Sequence, residues 1–175
     1  MQKPFLIIID GQMGAGKTTV AKLLHLKLDR TSLLIWDEIK WLVNGLENTP
    51  EDKNLITEIR FDIAKKMLLS GINVIVEGGF SKKERLNLYL ELAKKQSLNL
   101  LGYYFSAPEE ILLERALARP KPDTEKEKIS KENILENIRN YPVRENSFEL
   151  IETVSIEVSD IVQKIVSDVQ GLPKL

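Results

Sequence analysis

Apolar residues follow two rhythms along this chain: short unbroken runs, and longer stretches in which they recur at helical spacing. Phe5 to Ile9 is a continuous, β-branched-rich run bounded by Pro4 and Gly11, the pattern of a central strand covered on both faces of a parallel sheet. From Lys17 the period changes. Val20, Leu23, Leu24 and Leu28 fall at helical spacing, so a helix begins directly after a glycine-rich turn. Ser32 to Trp36 is a second apolar run, with Asp37 placed where a helix can start. Thr49-Pro50-Glu51-Asp52 combines a capping residue, proline at the first helical position and early acids, which predicts a long helix ending near Ser70-Gly71.

Ile72 to Val76 predicts the third strand, ending in Glu77-Gly78-Gly79. Ser81 and Glu84 have the spacing of a capping box, and Leu86, Tyr89, Leu90 and Ala93 mark one face of the helix it would open. Leu100 to Phe105 is the fourth strand, and Pro108-Glu109-Glu110 opens a helix carrying Arg115 and Arg119. Pro120 to Lys128 is charged and without apolar period, as in a mobile loop. A helix from about 130 to 140, a fifth strand around Val154 to Val158 and a closing helix to Val169 complete the pattern. Alternating strands and helices imply parallel βαβ crossovers. The expected fold is therefore α/β, one domain over residues 1–175 with a lid region at about 115–140.

Composition narrows the classes. The chain has 175 residues, 43% of them hydrophobic, which suffices for one well-packed core and is short for two domains. Its 25 basic and 26 acidic residues nearly cancel, so no global field draws it to nucleic acid or to an anionic membrane. There are no cysteines, which excludes disulfides, thiolate metal sites and thiol nucleophiles. The apolar opening stops at Asp10-Gly11, too short for a span and without the flanks of a signal peptide; the expectation is a buried strand in a cytoplasmic protein.

The strongest chemical signal is Gly11-Gln12-Met13-Gly14-Ala15-Gly16-Lys17-Thr18, which fits G-x-x-x-x-G-K-[ST] at every fixed position. Glycines let successive backbone N–H groups turn inward around a polyphosphate. Lys17 supplies a point charge for the β- and γ-phosphates, Thr18 a hydroxyl for magnesium, and the following helix directs its positive end at the anion. Met13, Ala15 and Thr19 complete the nucleotide-binding segment. The strand before and the helix after give the motif the context it needs.

With these residues the chain resembles the AAA-type P-loop kinases of small molecules and nucleic-acid ends. That broad group includes nucleoside and nucleotide kinases, gluconate and shikimate kinases, chloramphenicol phosphotransferase, zeta-type toxins and polynucleotide 5′-hydroxyl kinases. The likeness runs from the first strand through Ile72-Asn73-Val74-Ile75-Val76-Glu77-Gly78 to Glu114-Arg115 and Arg119. It implies a three-layer fold with a five-stranded parallel sheet in the order 2-3-1-4-5, a small lid, and ATP with magnesium as cofactors. It also implies that Asp37, just after the second strand, acts as the base toward an acceptor hydroxyl. Arg115 and Arg119 correspond to lid arginines that close on the transferring group, whose spread negative charge guanidinium groups stabilise. Glu77 ends a strand beside the phosphate loop and would hold magnesium through water or face the acceptor, although Glu-Gly-Gly departs from the aspartate common in relatives.

Residue chemistry adds acceptor candidates. Asp37, Lys40 and Trp41 stand at i, i+3 and i+4, so a helix would set a carboxylate, a cation and an aromatic surface on one face. Arg85 and Arg60 are weaker candidates, expected on solvated helix faces, and His25 belongs to surface or packing. The expected activity is ATP-dependent transfer of the γ-phosphate to a hydroxyl of a small molecule or a nucleic-acid end. Two alternatives stand beside it. One is a nucleoside or nucleotide kinase; the other is a nucleotide-dependent switch, which the absence of an Asn/Thr-Lys-x-Asp motif disfavours. Trp36, Trp41, Lys40, Lys82, Lys83 and Arg85 would serve a polynucleotide 5′ end through stacking and phosphate contacts, although the balanced charge gives no strong basic footprint.

Overall fold

The computed structural model describes residues 3–47, 49–119 and 130–173. Its elements are β1 (Phe5–Gly11), α1 (Lys17–Lys27), β2 (Thr31–Ile35), α2 (Trp36–Lys40), α3 (Pro50–Leu69) and β3 (Asn73–Glu77), followed by α4 (Lys83–Gln96), β4 (Asn99–Ser106), α5 (Glu109–Ala118), α6 (Lys131–Arg139), β5 (Glu149–Glu152) and α7 (Val158–Gln170). The sheet order is β2-β3-β1-β4-β5 and every pairing is parallel, as expected.

β1 is buried along its whole length. Because successive side chains point to opposite faces, Ile7 and Ile9 join one core with Val20, Leu24, Phe105 and Ile165. Leu6 and Ile8 join the other with Ile56, Val76, Tyr89 and Phe148. Each fully buried Leu or Ile here contributes about 1.5–3 kcal/mol, so the strand that delivers the phosphate loop is among the best anchored in the molecule. The long helix α3 starts as the sequence predicts: Thr49 Oγ1 accepts from the Asp52 N–H at 3.1 Å, and Pro50 occupies the first turn.

Several expectations need correction. The fifth strand is Glu149–Glu152, not Val154–Val158: Val154 and Ile156 are exposed, and Val158 opens α7. β5 pairs only with β4, and as an edge strand it buries Ile151 alone of its four residues. On α1, Ala21 takes the inward place expected of Leu23. The Ser81–Glu84 capping box is not formed; α4 starts at Lys83 with Lys82 at the N-cap and no side-chain cap. Arg60 and Arg85 are buried, 0% and 5% exposed, rather than solvated. The charged segment 120–128 lies outside the described residues. Among the described residues no helix is long and apolar enough to cross a membrane.

Candidate active site

The chain leaves β1 at Gly11, turns through residues 12–16 and enters α1. Gly16 stands at the N-cap with φ 80 and no side-chain cap. A Cβ there would meet nothing within 4 Å, so the cost of a side chain would be backbone strain. The first N–H groups of α1 are left for an anion. The loop is fastened from outside. Gln12 Nε2 donates to the Ile138 carbonyl at 3.0 Å, and Ser106 Oγ contacts Gln12 Oε1 at 3.2 Å, tying the turn to α6 and β4. Lys17 Nζ donates to the Gln12 carbonyl at 2.7 Å. Burial pushes the Lys17 pKa down, opposed by the negative charges of Glu77, Asp10 and Asp37.

Gly11, Met13, Gly14, Ala15, Gly16, Lys17, Thr18 and Thr19 line a cavity of about 1190 Å³. That exceeds the usual volume for one drug-sized ligand and leaves room for a nucleotide and an acceptor together. The sheet order gives the cavity two ends. On the β2/β3 side lie Trp36, Asp37, Glu77, Gly78, Gly79 and Ser81; on the β5/α7 side lie Thr153, Val158 and Ile161. α5 contributes Arg115 and Ala118, Arg119 follows it, α6 contributes Glu136 and Asn137, and the turn after α6 adds Asn140 and Tyr141.

The two arginines reach opposite ends. Arg119 Nη2 donates to Asp37 Oδ2 at 3.0 Å. Arg115 donates to Thr153 Oγ1 at 3.0 Å and to the Thr153 carbonyl at 3.2 Å. At the β3 end, burial pushes the Glu77 carboxyl above the usual range, with Asp37 adding to the rise and Lys17 and Arg60 opposing it. Arg60 Nη1 donates to the Glu77 and Gly78 carbonyls at 3.0 and 2.7 Å, which fixes the strand end. Its guanidinium lies 5.0 Å from the Trp36 ring centroid and 4.9 Å from that of Phe80, close enough for cation–π attraction. Gly79 has φ 77, and a Cβ there would lie 2.2 Å from the Trp36 ring. The chain therefore passes flat against Trp36 at Gly79.

Asp10, buried beside the loop, accepts from the Gly11 N–H at 2.7 Å and from the Tyr141 hydroxyl. Burial raises its pKa, and the bonds from Tyr141 and Gly11 act against that rise. Tyr104, the register partner of Asp10 on β4, donates to the Pro142 carbonyl at 3.1 Å. The turn after α6 is thereby pinned to the centre of the sheet.

The structure brings Lys17, Thr18, Asp37, Glu77, Arg115 and Arg119 to one cavity but leaves out three sequence candidates. Lys40 and Trp41 do not line the cavity: α2 is only five residues long, and Trp41 stands at its C-cap, exposed. Arg85 is not on the wall either. Its guanidinium lies 5.0 Å from the Trp36 ring centroid, so it supports the wall rather than offering a charge to a ligand. Sequence reading missed Asp10, Asn137, Asn140 and Tyr141, and misplaced Arg60. For Arg60 a signal existed: it falls on the buried stripe Ile56, Arg60, Ala64 and Leu68 of α3.

Thr18 and Glu77 both line the cavity, and a hydroxyl and a carboxylate are oxygen donors of the kind magnesium takes, a set that fits the ion when it enters with a nucleotide. Among the described residues no three His, Cys, Asp or Glu side chains cluster to hold a metal by themselves.

A family model described as an AAA domain matches residues 6–143. No curated protein sequence matches the chain. Among solved structures it is similar to a protein of Chloroflexus aurantiacus j-10-fl, with 23% identity, TM-score 0.74 and 97% and 98% of the two chains covered. It is also similar to the tunicamycin resistance protein of Deinococcus radiodurans, at 20% identity and TM-score 0.63 with 98% of each chain covered. The Mycobacterium tuberculosis APS kinase, solved with AMPPNP and APS, gives 13% identity and TM-score 0.70 over 98% of this chain and all of the other. These likenesses speak for the shared fold.

Proposed function

The chain belongs to the AAA-domain family of P-loop kinases, and from that premise we propose that it uses ATP and magnesium to phosphorylate a hydroxyl of a small molecule or a nucleic-acid end. The observation that carries this reading is the sharing of one cavity by the Lys17 phosphate loop and the Asp37 carboxylate. Nucleotide and acceptor would meet there with their reacting atoms positioned, which is most of what phosphoryl transfer asks of a protein.

Lys17 and the loop amides hold the β- and γ-phosphates. Thr18 and Glu77 would hold the magnesium ion, which supplies positive charge to the phosphate oxygens. Asp37 orients the acceptor hydroxyl and takes its proton. The acceptor oxygen forms a bond to the γ-phosphorus while the bond to the β–γ bridging oxygen breaks, and that electron pair leaves with ADP. Arg119, beside Asp37, neutralises the oxygens of the group in transit, whereas Arg115 is held at Thr153 at the opposite end of the cavity. The apolar Val158 and Ile161 suit a nucleotide base at the other end. Residues at about 115–140 act as the lid.

The test is transfer from ATP to an acceptor panel by the parent protein and by Asp37→Asn. Transfer lowered about 10²-fold or more in the variant, with nucleotide binding kept, supports Asp37 as base; equal transfer removes it from that role.

A further inference from the structure

The end of α6 meets the base of the phosphate loop at two points. Gln12, the first residue of the turn, donates from Nε2 to the Ile138 carbonyl at 3.0 Å. Three residues on, the Tyr141 hydroxyl donates to Asp10 Oδ1, the oxygen that also accepts the Gly11 N–H at 2.7 Å. Asp10 and Gln12 bracket Gly11, the first glycine of the motif. Gly11 has no slack of its own: its φ is 128, and a Cβ there would lie 2.1 Å from the Phe105 carbonyl oxygen, so its backbone lies flat on β4.

The anchoring side is equally fixed. Ile134 and Ile138 are buried in the core. Arg139 Nε and Nη2 donate to the Glu109 carboxylate at 2.8 and 2.6 Å, and the Pro142 carbonyl accepts from the Tyr104 hydroxyl. Along the same stretch, Asn137, Asn140 and Tyr141 line the cavity. Asp10 is 3% exposed, and a buried carboxylate keeps its orientation through the donors that hold it. Loss of the Tyr141 hydroxyl would leave Oδ1 with the Gly11 N–H alone, free to turn and to take the Gly11 peptide with it. The N–H groups of a phosphate loop act by being aimed in advance, so a small displacement of the first peptide weakens the hold on a polyphosphate.

We propose that Tyr141 is a positioning residue for the phosphate loop: through Asp10 it fixes the Gly11 peptide, so that the end of α6 sets the geometry in which the polyphosphate is held. This rests on nucleotide binding by the loop, as in the kinase reading above, and adds to it a residue far from the motif in sequence.

The experiment uses the full chain with magnesium and AMPPNP, with binding read by calorimetry well below the unfolding midpoint of each variant. Tyr141→Phe keeps the ring, whose centroid lies 6.4 Å from that of Tyr104, and removes the hydroxyl alone. Its Kd should rise about tenfold or more, and the amide signals of Gly11, Gly14 and Gly16 should shift in proton–nitrogen correlation spectra. Asp10→Ala tests the route: the double variant should bind no more weakly than Asp10→Ala alone, within about twofold. An unchanged Kd in Tyr141→Phe overturns the proposal and leaves the kinase reading standing, and so does a double variant in which the two losses multiply. If Asp10→Ala does not fold, the glycine amides of Tyr141→Phe decide, and parent positions for Gly14 and Gly16 overturn the proposal. A parent protein that does not bind the nucleotide removes the kinase reading itself, and the proposal with it.

Discussion

Arg119 and Asp37, 82 residues apart in sequence, are joined at 3.0 Å across the cavity mouth. The pair links the end of α5 to the start of α2, so the residue that follows α5 touches the residue proposed as base. Both side chains are about half exposed, and such pairs contribute at most about 1 kcal/mol to stability. Arg119→Ala should therefore unfold in urea within about 1 kcal/mol of the parent. Its kcat should fall roughly 10²-fold or more, as expected when one positioned donor to the transition state is lost. A large stability loss, or an unchanged kcat, contradicts the role.

Arg60 gives a pH signature. Burial raises the Glu77 pKa, and the Arg60 charge opposes that rise. If Glu77 acts ionised, activity is present above its folded pKa and lost as the pH falls through it. Arg60→Met removes the opposing charge, so the acid limb of kcat/KM should move to higher pH, while Arg60→Lys should restore part of it. A limb that stays in place in Arg60→Met shows that Glu77 ionisation does not govern the rate.

Tyr141 and Asp10 give a second titration. The Tyr141 hydroxyl stabilises the ionised form of Asp10 against burial, so its benefit is present above the folded pKa of Asp10 and fades as the pH falls through it. Tyr141→Phe should cost about 1–3 kcal/mol in urea unfolding at pH 8, and clearly less in acid. An equal cost at both pH values assigns Tyr141 to packing alone.

The sheet and the phosphate loop were legible because their signals are local. Phe5 to Ile9 is apolar without a break, and the glycine, lysine and threonine spacing of the loop fits the element that follows it. β5 was not legible. Glu-Leu-Ile-Glu has one residue facing the core and pairs with a single neighbour, so its pattern is weaker than that of Val154 to Val158, which turned out to be a turn and a helix start. Lys40 and Trp41 were drawn to the site by helical spacing, but that spacing cannot reveal that α2 ends after five residues. Arg60 and Arg85 could not be placed from charge, because their burial depends on partners distant in sequence: the carbonyls of Glu77 and Gly78, and the Trp36 ring.

Gly79 tests the packing behind the acceptor wall. Its φ of 77 is unfavourable for any side chain, and a Cβ would press on the Trp36 ring. Gly79→Ala should cost about 1–3 kcal/mol and shift the tryptophan emission of the folded protein. An unchanged spectrum and unfolding midpoint would show that Trp36 is free to move aside.

The most direct test of the central claim is transfer of label from γ-labelled ATP, with magnesium, to a panel of hydroxyl acceptors, run with the parent protein beside Lys17→Ala. The account predicts a labelled acceptor with the parent, and loss of labelling by 10²-fold or more in a variant that unfolds cooperatively like the parent. Transfer retained in Lys17→Ala would contradict it.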